Sequence, residues 1–107
     1  MQLDRFNKVI KDQLQYCEAL LVSKGDEYVR TTDRLAVFKK AAVFQNETPK
    51  QALLGMLAKH LVSISDMCVA DSKETSELWS EKITDSINYL LLLWALVEED
   101  TDNENNT

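Results

Sequence analysis

Thr48-Pro49-Lys50-Gln51-Ala52-Leu53-Leu54-Gly55-Met56-Leu57-Ala58-Lys59-His60 holds the start of a helix and the first turns of one apolar stripe. Thr48 can accept a hydrogen bond from a free N–H of the first turn. Pro49 takes the first helical position, where its missing N–H costs nothing. From there Leu53, Met56, Leu57, His60, Ile64 and Met67 recur at steps of three and four, which predicts a helix from 49 to about 68. Gly55 falls inside it, and close packing is the expected reason.

Working outward toward the C-terminus, Asp71-Ser72-Lys73-Glu74 resembles a capping box with Asp in the cap position. It predicts a further helix from about 73 to 98 with Trp79, Ile83, Ile87, Leu90 and Trp94 facing inward. Its segment Tyr89 to Val97 is apolar on every side. A helix apolar all round is buried all round, and four short helices cannot enclose one of their number. The expectation is a homo-oligomer (dimer or tetramer) held through this helix, most simply a two-fold dimer.

Toward the N-terminus, Leu35, Phe38 and Ala42 predict a short helix over about 33 to 45, with Thr32 as its cap. Leu3, Phe6, Ile10, Leu14, Cys17 and Leu21 predict another over about 3 to 23, ended by Lys24-Gly25. The reading is an all-α, four-helix bundle-like subunit with an antiparallel hairpin of the last two helices. Residues 1–97 form one domain and 98–107 an acidic tail, expected to fray.

Composition agrees. The 107 residues include two glycines and one proline, against about 7% and 5% in ordinary proteins. That scarcity argues against turn-rich β folds and glycine-rich phosphate loops. Of the 18 acidic residues, five lie between Glu98 and Glu104, so the remaining 13 against 12 bases leave a body of net −1. Such a body gives no support for nucleic-acid binding through a basic face. The nine-residue run from Tyr89 to Val97 is far short of the roughly 20 residues of a membrane span. Cys17 and Cys68 are expected as buried free thiols, and a single histidine makes a zinc site poor. The expected compartment is the cytoplasm.

Polar residues fall in two stripes. Lys59, Ser63 and Asp66 stand at i, i+4 and i+7, and Glu81, Asp85 and Asn88 repeat that spacing. An antiparallel hairpin sets Asp66 opposite Glu81, Ser63 near Asp85 and Lys59 near Asn88, so the stripes would line one groove. Asp66, Glu81 and Asp85 are hard oxygen ligands suited to Mg²⁺, and Lys24, Arg34, Lys59 and Lys82 are cations suited to a phosphate chain. The alternative is that each stripe is only the water-facing side of its helix.

The stretches Lys24-Gly25-Asp26-Glu27-Tyr28, Asp33-Arg34-Leu35, Phe38-Lys39-Lys40-Ala41-Ala42, Lys59-His60 and Glu81 through Tyr89 resemble MazG-like all-α nucleotide pyrophosphohydrolases. The resemblance is nearest to their phage-type branch, the nucleotide modification associated domain. It implies a helical bundle forming dimers or tetramers, Mg²⁺ held by carboxylates on two antiparallel helices, and cleavage of a nucleoside triphosphate to monophosphate and pyrophosphate. It implies a catalytic role for Glu81 and Asp85 and a metal set of Asp66, Glu81 and Asp85. Nucleotide contacts are implied from Lys24, Asp26, Tyr28, Arg34, Lys59, Asn88 and Tyr89. The family's first Glu-x-x-Glu pair is replaced by Lys59, His60 and Ser63, leaving Asp66. Its second pair is spaced Glu-x-x-x-Asp.

Two functions follow as expectations. One is a Mg²⁺-dependent nucleotide pyrophosphohydrolase. The other is a non-catalytic phage helical module that sequesters a nucleotide or contacts a host protein.

Overall fold

The computed structural model describes residues 1–27, 33–69 and 73–105, with the backbone alone for 23–27. It contains four helices: α1 (Leu3–Glu27), α2 (Ala36–Gln45), α3 (Pro49–Met67) and α4 (Ser76–Asn105), with no strand among the described residues. The all-α expectation is met.

Helix α3 begins as its sequence dictates. The Gln51 N–H donates to Thr48 Oγ1 at 3.2 Å, and the Thr48 N–H donates to Gln51 Oε1 at 2.9 Å. This reciprocal pair satisfies two donors the helix cannot use internally. Helix α2 ends at Asn46 in the left-handed conformation (φ 53°), which asparagine tolerates better than most residues. The N–H groups of Asn46 and Glu47 then donate to the carbonyls of Val43 and Ala42. That tight reversal sends α3 back along α2.

Helices α2, α3 and α4 share the core. Leu35, Phe38, Leu53 and Leu96 are buried at its centre, with Met56, Tyr89, Leu92 and Leu93 packed around them. Each of the four buried side chains contributes about 1.5–3 kcal/mol through burial. The expected inward residues of α2 (Leu35, Phe38, Ala42) are all buried, as are Leu53, Leu57 and Met67 of α3. Gly55 has open space where a Cβ would stand, so close packing does not explain it.

Helices α1 and α4 differ from expectation. Among the helices α1 packs on α4 alone. Cys17 is buried, but Leu3, Phe6, Ile10 and Leu14 are exposed because nothing else among the described residues covers them. Helix α1 continues through Gly25 to Glu27 without stopping at the glycine. Helix α4 starts at Ser76, with Thr75 Oγ1 accepting from the Leu78 N–H at 3.2 Å, and not at the Asp71 box. Its buried positions are Thr84, Ser86, Asn88 and Leu96, while Ile83, Leu90 and Trp94 are exposed. The stripe of large apolar residues misjudged the face because α4 turns a partly polar side to its neighbours. Cys68 is also exposed. The proposed cap Thr32, and Asp71 with Ser72, lie outside the described residues.

The acidic run expected to fray is helical to Asn105. Lys39 of α2 pairs with Glu99 at 2.7 Å and Lys50 of α3 pairs with Asp100 at 2.8 Å. Thr101 Oγ1 also donates to the Val97 carbonyl. The two ion pairs hold the C-terminal turns against α2 and α3.

Candidate functional site

Helices α3 and α4 run antiparallel with His60 level with Asp85 and Tyr89. The His60 Nδ1 lies 3.9 Å from Asp85 Oδ2, and the His60 and Tyr89 ring centroids are 5.3 Å apart. The expected register is therefore right to within about a turn, but the faces are not. Asp66 and Ser63 border a shallow depression with Lys82, Glu74 and Leu78. Glu81 points to the other side of α4, into a groove of about 640 Å³ shared with Tyr16 and Leu20 of α1. The one shared groove expected from the two stripes is thus divided.

Three buried polar side chains on α4 show what that helix offers. Thr84 is fully buried and its Oγ1 accepts from Gln13 Nε2 at 2.8 Å. Gln13 Nε2 also reaches Cys17 Sγ at 3.4 Å. Ser86 Oγ donates to the Lys82 carbonyl at 2.7 Å, a bond within its own helix. Asn88 differs. It is 7% exposed and its Oδ1 has no hydrogen-bond partner. A buried carbonyl without a donor costs about 1–3 kcal/mol, so such groups are rare and call for an explanation.

Asn88 lines a cavity of about 200 Å³ between α2, α3 and α4. Arg34, just before α2, stands at its edge, with Asp85, Asn88 and Tyr89 contributed by α4. Val37, Phe38, Met56 and Leu92 supply apolar walls. Phe38 meets the Tyr89 ring edge-on at 6.4 Å, a favoured aromatic geometry that fixes the Tyr89 plane. Behind the wall sits His60, whose buried Nδ1 also lacks a hydrogen-bond partner, since 3.9 Å to Asp85 exceeds bonding range.

Four of the expected site residues, Arg34, Asp85, Asn88 and Tyr89, therefore converge on one cavity. Glu81 and Asp85 share the α1–α4 groove, and Asp85 borders both spaces. Lys59 is exposed and lines none of the three hollows, while its carbonyl accepts from Ser63 Oγ. Asp66 stands apart from the other two carboxylates. Tyr28 and the side chains of Lys24 and Asp26 lie outside the described residues. No group of three or more His, Cys, Asp or Glu side chains is placed to hold a metal among the described residues. The carboxylate pair that remains is Glu81 and Asp85, one helical turn apart. One or two protein carboxylates, completed by ligand phosphates and water, is the usual way Mg²⁺ is held beside a nucleotide.

In the sequence pattern Phe38, Met56 and His60 are positions on the apolar stripes of α2 and α3. All three belong to the wall of this site or stand directly behind it. Their stripe spacing signals burial but carries no information about which buried residue also borders a cavity.

Comparison with protein-family models, with curated proteins and with solved structures finds no match to this chain.

Proposed function

We propose that the chain binds a nucleotide in the cavity between α2, α3 and α4. The observation that carries this reading is a cavity lined by Asn88 and Arg34, beside the buried Asn88 Oδ1 that has no hydrogen-bond partner. An amide offers a carbonyl acceptor and an NH₂ donor, a pair that suits the polar edge of a nucleobase. The Tyr89 ring and the side chains of Phe38, Met56 and Leu92 suit its flat face. Arg34 suits an anion, because its planar fork matches phosphate oxygens. The resemblance to MazG-like pyrophosphohydrolases supports the same ligand class. Mg²⁺ carried in with the phosphates would be held by Asp85, the one carboxylate among the described residues lining this cavity, where it would neutralise phosphate charge.

Binding is the core of the proposal, and hydrolysis is its catalytic extension. The test is thermal denaturation and calorimetric titration with a panel of nucleoside mono- and triphosphates, with and without Mg²⁺, alongside a pyrophosphate-release assay. The expected result is saturable stabilisation that Asn88→Leu abolishes and Arg34→Gln weakens. Pyrophosphate release that disappears in Asp85→Asn would add the catalytic step; binding without release defines a sequestering module. A chain that no nucleotide stabilises, or whose response is unchanged in Asn88→Leu, would overturn the reading.

A further inference from the structure

Asp85, Asn88, Tyr89 and Leu92 stand at i, i+3, i+4 and i+7, so they share one face of α4 and order the groups along the nucleotide cavity. Asp85 marks one end and Leu92 the other, about 10 Å farther along the helix. Helix α2 runs beside α4 in the same sense, because Phe38 packs on Tyr89 while Thr48 and Lys50, beyond the end of α2, lie beside Leu96 and Asp100. Arg34 therefore belongs to the Asp85 end. Helix α3 runs the other way, with Lys50 paired to Asp100 and His60 beside Asp85. Met56 falls between those two, level with Leu92. The cavity is thus graded from a charged end at Arg34 and Asp85, past Asn88, to an apolar end at Met56 and Leu92.

We infer that the apolar end is a size filter that admits a pyrimidine base and turns away a purine, with the phosphate held at the Arg34 end. The inference rests on the nucleotide reading of this cavity and adds which bases it takes. Its first support is volume. A cavity of about 150 Å³ lined by aliphatic and aromatic side chains takes up benzene. The present cavity of about 200 Å³ therefore suits one six-membered ring with its exocyclic groups, and the fused second ring of a purine exceeds it. The second support is that the walls do not yield freely. Phe38 is 2% exposed, and Met56, Tyr89 and Leu92 pack against the core cluster that contains Phe38 and Leu53. Widening the cavity means displacing packed core, which carries the cost of overpacking. The third is the order of groups. Arg34 at the charged end suits the phosphate, Asn88 midway suits the polar edge of the base, and Met56 and Leu92 close the space beyond it.

The experiment is calorimetric titration of the full chain, in the presence of Mg²⁺, with cytidine, uridine, adenosine and guanosine monophosphates. The two pyrimidine nucleotides are expected to bind about tenfold or more tighter than the two purine nucleotides. The same titrations on Met56→Ala, which lengthens the apolar end, are expected to narrow that ratio by about tenfold through tighter purine binding. Val37 lines the same cavity and is 52% exposed, so Val37→Ala enlarges the space with little risk to the fold. It is expected to narrow the ratio several-fold, and circular dichroism verifies that both variants keep their helicity. Purine nucleotides that bind the parent chain as tightly as pyrimidine ones overturn the size filter and leave nucleotide binding standing. A ratio that neither variant changes also overturns the filter, because selectivity would then arise elsewhere. A parent chain that binds none of the four overturns the filter together with the nucleotide reading beneath it.

Discussion

Replacing Asn88 by leucine separates a group kept for a ligand from a group kept for the fold. The side chain is 7% exposed, and its Oδ1 lies buried without a donor. An unmet acceptor of this kind costs about 1–3 kcal/mol in the folded state. Leucine branches at the same carbon and puts a methyl where the oxygen stood. Its extra volume can enter the adjoining cavity of about 200 Å³, so the overpacking cost of a full core is avoided. The net expectation is a gain of about 1 kcal/mol in unfolding free energy, or an upward shift of roughly 4–8 °C in Tm for a chain of this size. The assay is urea unfolding followed by far-ultraviolet circular dichroism, on parent and variant at equal protein concentration. The urea dependence should be unchanged and the midpoint raised. Nucleotide stabilisation should vanish in the same variant. A loss of more than about 1 kcal/mol would refute the reasoning, because it would mean the Asn88 amide makes bonds that offset its burial. An acceptor already used by the fold is not one held open for a ligand.

Two further outcomes follow from the helix ends. Thr48→Ala removes the acceptor for the Gln51 N–H and should lower stability by about 1 kcal/mol, read as a lower urea midpoint. The second concerns Lys39, which bonds Asp33 at 2.6 Å and Glu99 at 2.7 Å. The Lys39 hydrogen bond, aided by the Leu35 N–H, holds the Asp33 carboxyl below its ordinary 3.8. Hydrogen bonds to Asp33 and then Glu99 hold the Lys39 ammonium above its ordinary 10.5. A depressed acid stabilises above its unfolded value and loses that contribution as pH falls through its folded value. A raised base stabilises below its unfolded value and loses it as pH climbs through its folded one. The stability difference between the parent chain and Lys39→Met should therefore be flat between about pH 5 and 9, shrinking below about 3.8 and above about 10.5. It should stay under about 1 kcal/mol, because these side chains are solvent-screened. A difference that persists unchanged at pH 3 would contradict the assignment.

Local signals with a single physical meaning were legible in the chain. Thr48-Pro49 and Gln51 specify the start of α3 because their bonds close within one turn. The stripes of α2 and α3 named the core because those helices have one apolar side and a neighbour on it. The scarcity of glycine and proline marked an all-helical chain and directed any ligand chemistry to side chains projecting from helices.

What tertiary structure decided is which face each helix presents. Glu81 and Lys82 are neighbours in sequence but stand about 100° apart around α4. That rotation carried Glu81 into the α1 groove and set Lys82 toward Asp66, dividing the carboxylates. Large apolar residues on α1 and α4 look inward by period alone, but a period records that a side prefers an apolar neighbour and not whether the same chain supplies one. On α2 and α3 it does, and those residues are buried. On α1 and the C-terminal half of α4 the described residues supply none for Leu3, Phe6, Leu91 and Trp94, which remain open. The partners of Asn88 are settled in the same way. Its type and position were legible, but only the packing of α2, α3 and α4 shows that its oxygen is enclosed without a donor.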